Sequence, residues 1–242
     1  KLVCPQSSRI ATTPALCSGT GSAVQVQPAI LTDNCASGTL LTSNLSWTVS
    51  GATTATGTGN IPTTQAFNKG LNYITCMVRD TSLTAGNMSN CQFVIEVFDN
   101  ELPTVVCPSN VVVDITDSNN SVTVTQGATP VPGFAANLAL ATGNFCGAQI
   151  TYNTLAFADN CPMVVIANNG GKGAGSNFYA VGSSTESWRV TDMSGNTANC
   201  DFTITVNDRR KPTINCPSDV TLGTDPADQC TAFYTYTPTI TD

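Results

Sequence analysis

Apolar residues alternate with polar ones in many short runs along this chain. Phe93, Ile95 and Val97 occupy every second position, and the segment 202–206 repeats that arrangement. A period of two is typical of a strand with one buried face. Gly, Pro, Asn and Asp separate the runs, as in turns between short strands. The pattern predicts an all-β chain with almost no helix.

Other runs complete the expected set of strands. Ile74, Cys76 and Val78 are predicted to face inward on one strand, and Trp188 and Val190 on its counterpart. Further strands are predicted at 46–49, 111–113, 150–152 and 163–166. About seven short strands per hundred residues are typical of an aligned β-sandwich.

The chain also repeats itself, which predicts tandem modules. A Cys-Pro pair stands at positions 4, 107 and 216, and Asp-Asn-Cys follows at 33–35 and 159–161. The third copy stops at Thr241-Asp242, where that motif starts. We interpret residues 1–101 and 102–210 as complete modules and 211–242 as the N-terminal fragment of a third. An insertion near 118–145 in the second copy, rich in Gly, Ala and Pro, is expected to be a long loop.

Each complete copy continues with the same ordered landmarks. Phe67-Asn-Lys-Gly70 corresponds to Tyr179-Ala-Val-Gly182, and a turn opens at Asp80 or Asp192. Both copies close with Cys-x-Phe-x-Ile-x-Val-x-Asp, ending at Asp99 or Asp208. This ordered set resembles the hyalin repeat, or HYR domain. Copy one departs from the family pattern by its longer turn after Asp80 and by an extra cysteine, Cys76.

The resemblance implies immunoglobulin-like β-sandwich modules stapled by disulfides. It implies an extracellular setting, with modules in strings on cell surfaces and in large bacterial adhesins, and adhesion in place of catalysis. The leading hypothesis is therefore a structural or adhesive repeat segment of a cell-surface protein or filament, with modules as stiff spacers or binding units. The alternative is an accessory carbohydrate-binding module string of a secreted enzyme. That alternative needs exposed aromatic rings, whereas Trp47 and Trp188 lie in strand patterns that predict burial.

The composition narrows the possible partners. Charged residues make up 10% of the chain, its formal net charge is −7, and it has no histidine. Clustered Lys and Arg, the footprint of nucleic-acid binding, are absent. No apolar run approaches the length of a membrane helix, so we expect a soluble segment. The expected partners are further repeats or copies of the chain itself, together with a cell-surface or glycan ligand that the sequence does not name.

Eleven cysteines without a CxxC pair or a histidine predict disulfides formed outside the cytoplasm, in a secreted or cell-surface protein. Four cysteines in a module allow three connectivities, which the sequence leaves open. Under immunoglobulin-like topology, the preferred pairs are Cys107 with Cys200, Cys146 with Cys161, Cys4 with Cys91, and Cys17 with Cys35. Cys76 is expected to be a small buried residue, with a reactive thiol as the alternative. Cys216 and Cys230 are expected to pair beyond residue 242.

Polar residues are predicted to converge where modules join. The same topology would place the loops of the second copy against the end of the first, and carboxylate and carbonyl oxygens are what Ca²⁺ selects. The alternative is that these Asp and Asn side chains only cap turns. The candidate ligands of a calcium ion between modules are Asp99, Glu101, Asp159, Asn160, Asp192 and Asn196.

Catalysis finds little support in the sequence, and we expect no enzyme. General acid–base chemistry needs positioned groups with tuned pKa values, and the carboxylates fall in turns, linkers and strands. Glu186 shares strand parity with Trp188, so it is either partly buried or at an open strand edge. The glycine-rich run 170–175 lacks the order of a phosphate-binding loop and is expected to be a flexible hairpin loop.

The third copy raises a separate expectation. Two strands cannot close a sandwich, and their open edges would invite pairing. We expect the chain to continue beyond Asp242. Completion by another subunit through strand addition is the alternative.

Overall fold

A computed structural model describes residues 2–21, 30–31, 45–79, 87–116, 121–141, 145–224 and 231–241. Within these ranges the chain is all-β, as predicted. Its strands are β1 (Leu2–Val3), β2 (Ser8–Ala11), β3 (Ser18–Thr20), β4 (Ile30–Leu31), β5 (Leu45–Gly51), β6 (Ala55–Thr58), β7 (Ala66–Asn68), β8 (Gly70–Arg79), β9 (Met88–Phe98), β10 (Thr104–Val105), β11 (Val111–Ile115), β12 (Val122–Gln126), β13 (Ala135–Ala141), β14 (Phe145–Tyr152), β15 (Phe157–Ala158), β16 (Val165–Gly170), β17 (Gly175–Ala180), β18 (Gly182–Thr191), β19 (Thr197–Asp208), β20 (Thr213–Asn215) and β21 (Thr239–Thr241).

The strands fall into two compact units. The first contains Lys1–Val106, Ala156–Asn169 and Trp188–Cys200. The second contains Cys107–Leu155, Gly170–Ser187 and Asp201–Asp242. Two segments of the second sequence repeat, 156–169 and 188–200, thus belong to the same unit as the first repeat.

The first unit is built around a five-stranded sheet in the order β2-β9-β8-β5-β6. Strand β2 pairs in parallel with β9, and the other pairings are antiparallel. One face of β8 buries Ile74, Cys76 and Val78, as the period-two pattern predicted. Phe93, Ile95 and Val97 of β9 enter the same core, and Gly57 leaves room for the Trp47 ring, which a β-carbon would meet at 2.2 Å.

The second unit repeats that arrangement. Strand β11 pairs in parallel with β19, so that Val111 lies opposite Ile204 and Val113 opposite Val206. A second sheet, β13-β14-β17, contributes Ile150 and other buried residues. The predicted immunoglobulin-like sandwich is confirmed.

Two details of the predicted strands are wrong. The segment near 118–145 is not a long loop, because it contains β12, which pairs with β11, and β13, which pairs with β14. Alternating β-branched residues such as Val122 and Val124 favour a strand there. The strand expected at 163–166 begins at Val165, because Met163 has a φ of 71°, which an extended strand does not accommodate.

Candidate functional site

Of the disulfides described in the first unit, one lies within the first sequence repeat and the other joins the first repeat to the second. Cys4 and Cys91, which were expected to pair, are bonded with a Cα–Cα distance of 5.7 Å. Cys17 bonds Cys161, at a Cα–Cα distance of 4.7 Å and a sequence separation of 144. Both distances are typical of disulfides.

The expected pairs Cys17 with Cys35 and Cys146 with Cys161 are therefore wrong. The first repeat supplies Cys17 and the second supplies Cys161, because the loop that carries Asp159, Asn160 and Cys161 packs in the first unit. Cys146 is a free thiol, and Cys35 lies outside the described residues. Cys107 and Cys200, for which the repeat predicts a mutual bond, are each in a disulfide.

Asp99 is the centre of a polar network beside this bond. Its carboxyl oxygens accept hydrogen bonds from the Thr12 hydroxyl at 3.4 Å and from the Glu101 amide at 3.1 Å. Asn160 Nδ2 and the Ser194 hydroxyl donate at 3.5 Å. The Asp99 side chain is fully buried, as the 0% exposure shows, so this network replaces the water that the carboxylate loses.

A positive charge also reaches the network. Lys69 Nζ lies 3.6 Å from Asp99 Oδ2. A buried carboxylate needs a partner of this kind, because an unpaired buried charge is costly. Lys69 comes from the Phe-Asn-Lys-Gly landmark of the first repeat, where the second repeat has Val181.

The other candidate calcium ligands are mostly engaged in turns. Asp192 Oδ1 accepts from the Ser194 and Asn196 amides at 2.8 Å, and its Oδ2 accepts from Asn196 Nδ2 at 2.7 Å. Burial raises the pKa of Asp192, but these hydrogen bonds and the Lys69 charge outweigh burial and hold the pKa below its ordinary value. Glu101 Oε2 accepts from the Ala15 amide at 3.0 Å.

Two oxygens remain for a cation. Asp159 Oδ2 caps the Cys161 amide at 3.1 Å, whereas Asp159 Oδ1 and Asn160 Oδ1 are buried without a hydrogen-bond partner among the described residues. One ligand atom each of Asp99, Asp159 and Cys161 lies within 4.8 Å of the others, but the Cys161 sulfur is in a disulfide. The structure thus brings carboxylate oxygens of Asp99 and Asp159 together, turns Asn160 Nδ2 toward Asp99, and gives Asp192 a turn-capping role.

The second unit contains another polar centre, formed around Glu186. The sequence had predicted Glu186 to be partly buried or at an open strand edge, and it did not predict this centre. Glu186 has 0% exposure, and the hydroxyls of Tyr152 and Tyr179 each donate to its carboxylate at 2.8 Å. The backbone amides of Lys172 and Gly173 also donate, at 2.8–3.1 Å. Burial, reinforced by the Glu186 carboxylate, raises the pKa of Tyr179 far above its ordinary value, so its hydroxyl remains a donor.

The glycine-rich run connects β16 to β17, and hydrogen bonds tie it to Glu186. Its residues 171–173 wrap the Glu186 carboxylate, and Gly171 has a φ of 88°, a conformation that favours glycine. A β-carbon on Gly171 would lie 2.5 Å from the Thr185 carbonyl and 2.8 Å from the Glu186 carboxyl group. The anion that these amides hold belongs to the chain itself.

Short strands, buried alternating faces and disulfides together define an all-β protein made of immunoglobulin-like sandwich repeats. Within it, residues 135–206 match the family model of the HYR domain, which confirms for this segment the resemblance found in the repeat. No curated protein matches the sequence. No helix among the described residues is long and apolar enough to span a membrane.

Solved cadherin structures show a distant likeness. Drosophila N-cadherin EC1-4 is 12% identical, with a TM-score of 0.27, over 86% of this chain and 50% of that chain. Protocadherin gamma B2 extracellular cadherin domains 3–6 are 12% identical, with a TM-score of 0.33, over 86% and 52%. The human desmocollin-1 ectodomain is 10% identical, with a TM-score of 0.27, over 87% and 62%. The chain spans about half the length of the first two.

Proposed function

We propose that this chain is a structural repeat segment of an extracellular adhesive protein, in which HYR-type modules act as mechanically stapled spacers. The observation that carries the proposal is the Cys17–Cys161 bond, because it ties one sequence repeat covalently to the next. A bond confined to one module would strengthen that module alone. A bond between repeats also links neighbouring repeats covalently at a second point besides the backbone.

Both tryptophans are buried, which weighs against sugar stacking on an indole ring, whereas other rings, such as those of Phe233 and Tyr236, are exposed. Trp47 and Trp188 are each 5% exposed, so neither ring offers a platform for stacking on a sugar. The core of each unit is filled by strand residues that alternate with a polar, weakly charged surface. Such a surface suits a chain that stands free in solution outside a cell.

Stretching the chain between tethers at its two ends tests the spacer proposal. The Cys17–Cys161 bond spans 144 residues, and a stretched residue contributes up to about 3.6 Å. Complete reduction opens this loop together with the overlapping Cys4–Cys91 loop and is therefore expected to lengthen the fully extended chain by about 500 Å or more. Force spectroscopy with and without a reducing agent measures this gain. Cys76→Ser, which removes a free buried thiol, should leave both lengths unchanged, and equal extension of oxidised and reduced chains would contradict the proposal.

We further propose that the oxygens of Asp99, Asp159 and Asn160 take up Ca²⁺ in competition with Lys69. The unpartnered buried oxygens of Asp159 and Asn160 support this, since a cation would satisfy both. Three side chains fall short of the six to eight oxygens that calcium uses, so backbone carbonyls and water would complete the set. We expect weak binding, with a Kd of about 10⁻⁴–10⁻³ M, as in other extracellular modules.

Calorimetric titration with CaCl₂ tests the calcium proposal. Lys69→Met should tighten binding by roughly tenfold, because it removes the competing charge, and Asp159→Ala should weaken binding by at least a similar factor. Glu96→Gln, in an exposed ion pair with Arg9, controls for the change of net charge. Absence of binding heat in both the wild type and Lys69→Met would remove calcium from the description of this site.

A further inference from the structure

The free thiol of Cys146 occupies the same structural position as Cys17. Strand β3 pairs with β7 so that Gly19 lies opposite Phe67, and β14 pairs with β17 so that Ala148 lies opposite Tyr179. Phe67 and Tyr179 are the same landmark of the repeat, which places Cys17 and Cys146 at equivalent positions.

The backbone contacts of the two cysteines agree with this equivalence. The Lys69 amide donates to the Cys17 carbonyl at 3.2 Å, and the Val181 amide donates to the Cys146 carbonyl at 3.2 Å. Lys69 and Val181 are themselves equivalent in the repeat. The two sites therefore share strand register and hydrogen bonding.

The closing aspartates of the two repeats also form the same turn. Asp99 Oδ1 accepts from the Glu101 amide at 3.1 Å, and Asp208 Oδ1 accepts from the Arg210 amide at 2.9 Å. In the second unit, Arg210 Nη2 lies 2.7 Å from Cys146 Sγ. A guanidinium beside the sulfur is the electropositive surrounding in which cysteines react.

The third repeat also starts in the way that the second does. Thr213 pairs with Thr241 as Thr104 pairs with Ala158. Ala158 is followed directly by Asp159-Asn160-Cys161, and Thr241 is followed by Asp242. The β20–β21 pair therefore repeats the β10–β15 pair that comes just before the partner of Cys17.

From these equivalences we propose that Cys146 forms a disulfide with the cysteine of an Asp-Asn-Cys loop in another HYR-type repeat, as Cys17 does with Cys161. The bond follows one rule along the string: the earlier cysteine of one repeat pairs with the Asp-Asn-Cys cysteine of the next. The inference rests on the proposed function to the extent that both describe consecutive linked repeats.

The chemistry of the bond is an ordinary thiol oxidation. Each of the two thiols loses a proton, and the two sulfurs together give two electrons as the S–S bond forms. A disulfide oxidant of the extracellular compartment accepts the electrons and is reduced to two thiols. The partner loop comes either from a repeat that follows on the same polypeptide or from a second copy of the chain, whose residues 33–35 carry the same motif.

Peptide mapping of the native protein tests this bond. The protein is alkylated in denaturant without reduction, digested, and analysed by mass spectrometry for linked peptides. We expect the Cys146 peptide to be unalkylated and joined to a peptide that contains Asp-Asn-Cys, while Cys76 is alkylated as a free thiol. A linked peptide with Cys35 identifies a second copy as the source, and one from outside the 242 residues identifies a following repeat.

Two results would overturn the inference. One is alkylation of Cys146 in the native protein, and the other is a bond from Cys146 to a cysteine in a different context, such as Cys216. In the monomeric 242-residue chain, where no second copy is bonded, Cys146 should react with iodoacetamide at least tenfold faster than Cys76, because Cys76 is buried. Equal rates would also count against the inference. If peptide mapping shows no such bond of Cys146 but reduction lengthens the chain as expected, the proposed Cys146 bond is rejected and the spacer function is still supported.

Discussion

Replacing Glu186 by glutamine is expected to lower the free energy of unfolding of the second unit by about 3 kcal/mol or more. The carboxylate accepts from two tyrosine hydroxyls and from two backbone amides. The amide of glutamine would turn an NH₂ group toward these donors, and at least one of them would lose its acceptor in a fully buried site. The backbone amides of Lys172 and Gly173 cannot reorient to compensate.

Peptide-resolved hydrogen exchange during a urea titration measures this loss of unfolding free energy in β14 and β17. Asp201→Asn provides the control, because it removes one charge at an exposed position of β19 and should change stability by less than about 0.5 kcal/mol. Tyr179→Phe should have an intermediate effect, since it removes one donor and keeps the ring. A Glu186→Gln chain as stable as the control would mean that the carboxylate does not hold the glycine-rich loop.

Replacing Asp99 by alanine is expected to destabilise the first unit by about 3 kcal/mol. The substitution leaves Lys69 without its carboxylate partner and removes the acceptor shared by Thr12, Asn160 and Ser194. These groups come from the first repeat and from the two segments of the second repeat that pack in this unit. One carboxylate therefore supports several chain segments at once.

Tryptophan fluorescence during urea unfolding is the measurement, because Trp47 and Trp188 both belong to the first unit. Asp159→Ala is the matched control. It removes an acidic residue from the same network, but its Oδ2 caps one amide, so the expected cost is about 1 kcal/mol. Equal effects of the two substitutions would show that Asp99 has no central role.

The strand pattern allowed most of the fold to be predicted from the sequence. Period-two burial correctly placed Ile74, Cys76 and Val78 on β8, because a sheet with one covered face needs that alternation. The pattern did not predict β13, because its residues are mostly small or polar. Its alanines differ too little in hydrophobicity from their neighbours to produce a clear period-two alternation. The repeat, not the composition, carried the resemblance to the HYR domain, which the family model matches over residues 135–206.

The disulfide pairing could not be predicted from spacing. Cys17 and Cys35 are close in sequence, whereas Cys17 and Cys161 meet because a loop of the second repeat packs in the first unit. Similarly, Glu186 lies two positions before Trp188 on the same strand, which indicates that its side chain faces inward. The hydrogen-bond donors that stabilise the buried carboxylate come from β14, β17 and a loop, and the sequence pattern does not show them. Contacts of this long range leave no mark in local periodicity.

The Cys17–Cys161 bond also has a consequence for biogenesis. A chain that is synthesised and exported from its amino end presents Cys17 well before Cys161, since 144 positions separate them. Both cysteines of the Cys4–Cys91 bond are present in that interval, whereas the final partner of Cys17 is not. The Cys17–Cys161 bond therefore closes only after residue 161 has been synthesised, 70 positions later than the Cys4–Cys91 bond requires.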